Sequence, residues 1–238
     1  MRYFLSISFM AVFFLACEHQ TVRLEGYAVH GIDVSHYQSR INWDSVVGEE
    51  IHFAFVKASE GISMIDTLFC RNWAEMKRVG LHRGAYHFFR PTLPARLQAE
   101  NFLDAVEMEY GDLPPVLDVE VLDGASKVQL ITGVRTWLYM VEIQYNMKPV
   151  LYTNLKFYNK YLAGHFNDYP IWIARYSSRE PSLACGRDWQ FWQYGNQGRL
   201  SGIDGHVDFN VFKGSLRELE SLCFSPPLIL SEGFAAGP

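Results

Sequence analysis

The chain reads as an α/β protein with one large domain, in which repeated βα units are followed by bare strands. Two observations predict this. Short runs rich in β-branched and aromatic residues alternate with segments of helical period through the first two thirds of the chain. The last strand-like runs then follow one another with no room for a crossover helix. Such an order argues for a parallel barrel that loses its helices near the end, with an open doubly wound sheet as the alternative.

The elements come in order. Residues 28–34 and 52–58 read as strands, 67–79 as a helix and 84–89 as the next strand. Pro94 suits the first turn of a helix reaching about residue 109, because its missing N–H would be unpaired there in any case. Residues 114–121 form a strand. Ser126 is a good N-cap for a helix whose stripe is Leu130, Ile131, Val134, Leu138 and Val141. Strands at 149–153 and 170–176 flank a short helix at 155–162, and strands at 190–194 and 207–212 are joined by a glycine-rich turn between Gly195 and Gly205.

The termini read differently from this body. Met1-Arg2 followed by a short apolar stretch is too brief for a bilayer span of roughly 20 residues and reads as an export signal. It ends at Leu15-Ala16-Cys17, which resembles the lipobox of bacterial lipoproteins, with Phe14 in its first position. The expected division is therefore a signal at 1–16, a polar tether at 17–27 after a lipidated Cys17, a domain at 28–224 and a loose tail at 225–238. The protein would be exported and held to a bacterial membrane by that lipid, as a monomer. Cys70, Cys185 and Cys223 match no zinc spacing and make no complete disulfide set, so they are expected to pack.

Composition removes several function classes. With 21 Lys and Arg against 26 Asp and Glu, the formal charge is −5 and the cations are scattered, which excludes a phosphate-tracking nucleic-acid binder. No glycine-rich phosphate loop follows an early strand, so no nucleotide is expected. HExxH and GxSxG are absent, and no cofactor signature is present.

The chemistry lies in carboxylates at strand ends. Asp33 follows Gly31-Ile32 in the first strand, Asp118 and Glu120 close the fourth, and Asp208 is in the last. Residues two apart on a strand share a face, roughly 6.5 Å apart. In a barrel these groups would converge on one mouth, where crowding and burial make one of them hold a proton near neutral pH. A protonated Glu120 is what a general acid for glycoside cleavage requires. A cradle for Mg²⁺ or Ca²⁺ is the competing use, but no His or Asn set at metal spacing accompanies it. His36 and His87 read as structural, while Trp172, Tyr176, Trp192 and Tyr194 would fill the core or stack on a sugar.

Several motifs in register then resemble one family. Gly31-Ile32-Asp33-Val34-Ser35, Phe55-Val56-Lys57-Ala58-Ser59-Glu60-Gly61, Gly84-Ala85-Tyr86-His87-Phe88 and Pro115-Val116-Leu117-Asp118-Val119-Glu120 are similar to the family 25 glycoside hydrolases, the Chalaropsis-type lysozymes. Leu151-Tyr152-Thr153, Trp172-Ile173-Ala174-Arg175-Tyr176, Phe191-Trp192-Gln193-Tyr194 and Gly205-His206-Val207-Asp208-Phe209-Asn210 continue the order. The resemblance implies an irregular TIM-like (β/α)5(β)3 barrel and cleavage of the β-1,4 bond between N-acetylmuramic acid and N-acetylglucosamine in peptidoglycan. It implies Glu120 as general acid, with Asp33, Asp118 and Asp208 completing the acidic site. Tyr86, Tyr152, Trp172, Tyr176 and Gln193 would line the groove. A dead wall-binding barrel and a hydrolase of another N-acetylhexosamine polymer, such as chitin, are the rival readings.

Overall fold

The computed structural model describes residues 22–225; the proposed signal at 1–16, Cys17 and the tail from residue 226 lie outside the described residues. Eight strands close a barrel: β1 (Val29–Val34), β2 (Phe53–Glu60), β4 (His82–Phe88), β5 (Val116–Asp118), β6 (Val150–Asn154), β7 (Ile171–Ala174), β8 (Phe191–Gly198) and β9 (Val207–Phe212). A two-residue strand, β3 (Met64–Ile65), folds back on β2 as a hairpin. Closure comes from the parallel pairing of β1 with β2.

Helices fill the first five crossovers: α1 (Trp43–Val47), α2 (Phe69–Arg78), α3 (Ala95–Ala105), α4 (Lys127–Tyr145) and α5 (Leu155–Phe157), the last running on into a π-turn at Tyr158–Leu162. α4 starts in a capping box between Ser126 and Gln129, and it ends at Asn146 in the left-handed region. Pro94 proves to be the N-cap of α3, one position before the first turn. The expected strand at 114–121 shortens to three residues, which releases Glu120 from the ladder.

The last strand departs from the expected parallel order. Seven strands run parallel around the barrel, but β9 is antiparallel to both β8 and β1. The glycine-rich segment between β8 and β9 is too short for a crossover, so the chain must return as a hairpin. Parallel order fails there for that reason alone.

Alternation sorts every strand into two layers. Outward residues such as Ile32, Val56, Leu117, Leu151 and Ile173 form the main core with the helices, and Trp192 and Tyr194 belong to it. Inward residues, including Val29, Phe53, Phe55, Val116, Phe191 and Phe212, plug the barrel, whose lower end α6 (Leu216–Ser221) closes with Leu219. Two glycines make room for the plug: a Cβ at Gly31 would lie 2.4 Å from the Phe53 ring, and one at Gly84 would lie 2.4 Å from Phe55. Cys70 and Cys223 are free thiols, Cys70 being exposed.

Candidate active site

On several strands the inward set changes from apolar to polar on approaching the mouth. β1 passes from Val29 through Gly31 to Asp33, and β2 from Phe53 and Phe55 to Lys57. β5 goes from Val116 to Asp118, with Glu120 two residues on, and β8 from Phe191 to Gln193. In β9 the order is reversed, from Asp208 through Asn210 to Phe212. Because β9 also runs backwards, its N-terminal end meets the C-terminal ends of its neighbours, and Asp208 pairs in register with Asp33. The reversed strand thus delivers a carboxylate to the mouth that a parallel strand would have sent to the floor.

A cleft of about 260 Å³ at this mouth is lined by all nine groove and acid residues expected from the sequence: Asp33, Asp118, Glu120, Asp208, Tyr86, Tyr152, Trp172, Tyr176 and Gln193. Asp33 is the anchored member. Its Oδ2 accepts from Gln193 Nε2 at 2.8 Å and from Asn210 Nδ2 at 2.7 Å. Gln193 is held in turn by Tyr152, whose hydroxyl donates to Gln193 Oε1 at 2.9 Å, and Asn210 by Trp172, whose Nε1 donates to Asn210 Oδ1 at 2.8 Å. Trp172 is 2% exposed and stacks on Phe55 with centroids 4.6 Å apart, so one face is already covered. Tyr176, 57% exposed, stands at the rim, its hydroxyl donating to Gln193 Oε1 at 3.3 Å.

All four carboxyls are pushed toward the protonated state. Burial is the main cause for each. The like charge of Asp208 adds to the effect at Asp33, and that of Glu120 adds to it at Asp118. Asp208 is raised from 3.8 to about 6. Lys57 works in the other direction on Asp118 and Glu120, favouring their ionised forms. Its ammonium is 2.6 Å from Glu60, which Arg90 also holds at 2.5 Å. One oxygen of Asp118, Oδ1, is buried with no hydrogen-bond partner among the described residues. A buried bare acceptor is costly, and it is satisfied when a ligand brings an N–H or O–H.

The histidines take structural places. His36 pairs with Asp66 at 2.6 Å, and His87 lies buried between Ser59 and Gln98, stacked on Trp137. Sequence reasoning passed over Lys57 and Asn210 as site residues. A lysine inside the otherwise apolar run of β2 was the available signal for the first, and the two-residue spacing from Asp208 for the second.

Known proteins share this arrangement at the level of sequence and fold. The chain matches the model of the family described as Glycosyl hydrolases family 25 over residues 32–203. It is 46% identical over 200 residues to the YegX protein of Escherichia coli (strain K12), covering 82% of this chain and 73% of that one. Lysozyme M1 of Streptomyces globisporus is 35% identical over 213 residues, covering 82% and 71%. The family 25 glycosyl hydrolase structure from Bacillus anthracis superposes with a TM-score of 0.81 at 33% identity, covering 86% of this chain and 97% of that one. On sequence, barrel and match together, the chain belongs to family 25 of the glycosyl hydrolases, and it is a glycoside hydrolase.

Proposed function

We propose that the protein is a peptidoglycan muramidase that cleaves the β-1,4 bond between N-acetylmuramic acid and N-acetylglucosamine, with Glu120 as general acid. The observation that carries this reading is the pair of neighbouring carboxyls, Glu120 and Asp118, both pushed toward the protonated form by burial, with one oxygen of Asp118 buried and bare. The names of relatives such as Lysozyme M1 support the substrate class.

The chemistry follows from that pair. An N-acetylhexosamine brings an amide N–H, a donor suited to Asp118 Oδ1. Accepting it stabilises ionised Asp118 and leaves the proton of the pair on Glu120. Glu120 then protonates the leaving oxygen while the substrate's own acetamido carbonyl attacks the anomeric carbon. Asp118, ionised, orients the acetamido group and stabilises the positive charge that develops on its nitrogen. Water opens the cyclic intermediate, with Glu120, now ionised, taking its proton. Asp33, held by Gln193 and Asn210, and Asp208 beside it set the floor on which the ring rests.

Acid catalysis of this type is worth about 10²–10⁴-fold, so Glu120→Gln should lower turnover on purified peptidoglycan by that factor at unchanged melting temperature. New reducing ends on N-acetylmuramic acid, read by reduction labelling and mass spectrometry, are expected from the wild type. Turnover within a few fold of wild type in the variant would refute the role, and faster cleavage of chitin than of peptidoglycan would move the substrate to that polymer. The export signal at 1–16 and a lipid on Cys17, which would keep the enzyme at a bacterial membrane beside its polymer, belong to the same proposal.

A further inference from the structure

A second cavity, of about 560 Å³, opens beside the acidic cleft and shares Glu120, Tyr152 and Tyr176 with it. The walls it does not share carry two cations. Lys156 sits in α5 immediately after β6, and Arg175 follows β7. Neither has a carboxylate partner among the described residues. Arg175 donates to the main-chain oxygen of Glu180 at 2.7 Å, which leaves its charge uncompensated. Lys156 is exposed and forms no ion pair there.

This contrasts with the other cations at the mouth. Lys57 and Arg90 are both spent on Glu60, and Arg90 also reaches Asp123 at 3.1 Å. On a chain of net charge −5, beside a cleft of four carboxyls, two uncompensated cations around one cavity give a local field of the opposite sign. An anionic substituent on a sugar would be repelled by the cleft and drawn to this side.

We infer that the side cavity is an anion subsite that takes a carboxylate carried on the substituent of the muramyl sugar, either that of its lactyl ether or that of an attached peptide. The inference rests on the muramidase reading for the identity of the sugar. It adds that the enzyme selects muramyl glycans over chitin through Lys156 and Arg175, away from the reacting bond. Arginine can grip a carboxylate through two parallel N–H bonds, whereas lysine supplies a point charge that follows a mobile group.

The test is equilibrium binding in the Glu120→Gln background, so that it does not depend on turnover. The ligands are muramyl glycan fragments with peptides, the same fragments stripped of peptide so that the lactyl carboxylate is free, and a chitin oligosaccharide. Lys156→Ala with Arg175→Gln should weaken binding of the muramyl ligands about tenfold, a loss of about 1.4 kcal/mol. Chitin-oligosaccharide binding should be unchanged, as should all binding by Lys160→Ala, a cation of the same segment outside the cavity. Loss confined to the peptide-bearing fragments assigns the subsite to a peptide carboxylate, and loss on the stripped fragments assigns it to the lactyl group. Unchanged muramyl binding, or an equal loss on the chitin oligosaccharide, overturns the inference. Melting temperatures of the variants separate these results from misfolding. Failure of the wild type to cleave peptidoglycan would strike the muramidase reading alone, because binding is read separately.

Discussion

Replacing Asp208 with Asn should make the protein more stable at neutral pH and leave it unchanged in acid. Asp208 is raised from 3.8 to about 6, chiefly by burial. Between those values the folded state holds a proton that the unfolded chain has released. Stability therefore falls as pH climbs from about 4 to about 6, and the loss is complete above that. At about 1.4 kcal/mol for each pH unit of the displacement, the full cost is about 3 kcal/mol. Asn keeps the shape of Asp and can donate to Asp33, so removing the charge recovers up to that amount at pH 7. For a chain of this size it corresponds to a rise in melting temperature of roughly 6–12 °C. The assay is thermal unfolding of wild type and Asp208→Asn at pH 4 and pH 7. An equal gain at both pH values would mean that packing, not charge, is responsible, and no gain at pH 7 would refute the reasoning outright.

Two other perturbations read neighbouring features. Lys57→Met removes the cation that favours ionised Asp118 and Glu120 while keeping its apolar stem, so both groups should hold their protons to higher pH. The pH–activity profile on peptidoglycan should move upward as a whole; a profile that stays in place or moves down contradicts the assigned role of Lys57. Cys17→Ser should release the protein from the membrane fraction into the soluble fraction, and unchanged membrane association in a fractionation blot would count against lipidation.

Much of this site was legible in the sequence because strand alternation is strict. Asp118 and Glu120 were placed on one face by their spacing, and the cleft does receive both. The terminal helix-free strands were equally visible, since few residues separate the runs at 190–194 and 207–212. What went unread was the direction of β9, which the shortness of the segment after β8 dictates but which the inward-facing pattern, the same in either direction along a strand, does not show. Asp33 and Asp208 were expected at one mouth, since the first and last strands of a closed barrel are neighbours, but their direct register was not readable. Lys57 escaped for another reason. A buried lysine is tolerable only with partners, and its partner Glu60 is itself held by Arg90, thirty residues further along the chain. No local pattern announces a contact of that range.

The reversed strand also explains why the acids are poised. In a barrel of eight parallel strands the mouth would collect only strand C-termini, and the residue beside Asp33 would come from the end of β9 that now carries Phe212. Reversal exchanges that aromatic for Asp208 and sends Phe212 to the floor, where it packs on Phe191 with centroids 5.0 Å apart. One hairpin thus does two things at once: it completes the apolar plug below and crowds a second carboxyl against Asp33 above. The plug keeps water from the underside of the acids, and that desolvation is the leading cause of every raised carboxyl in the cleft. The stability lost at Asp208 and the upward push on the Glu120 carboxyl have the same physical origin. Asp208→Asn should accordingly emerge as a variant that is harder to unfold at neutral pH, while the burial that raises Glu120 stays in place.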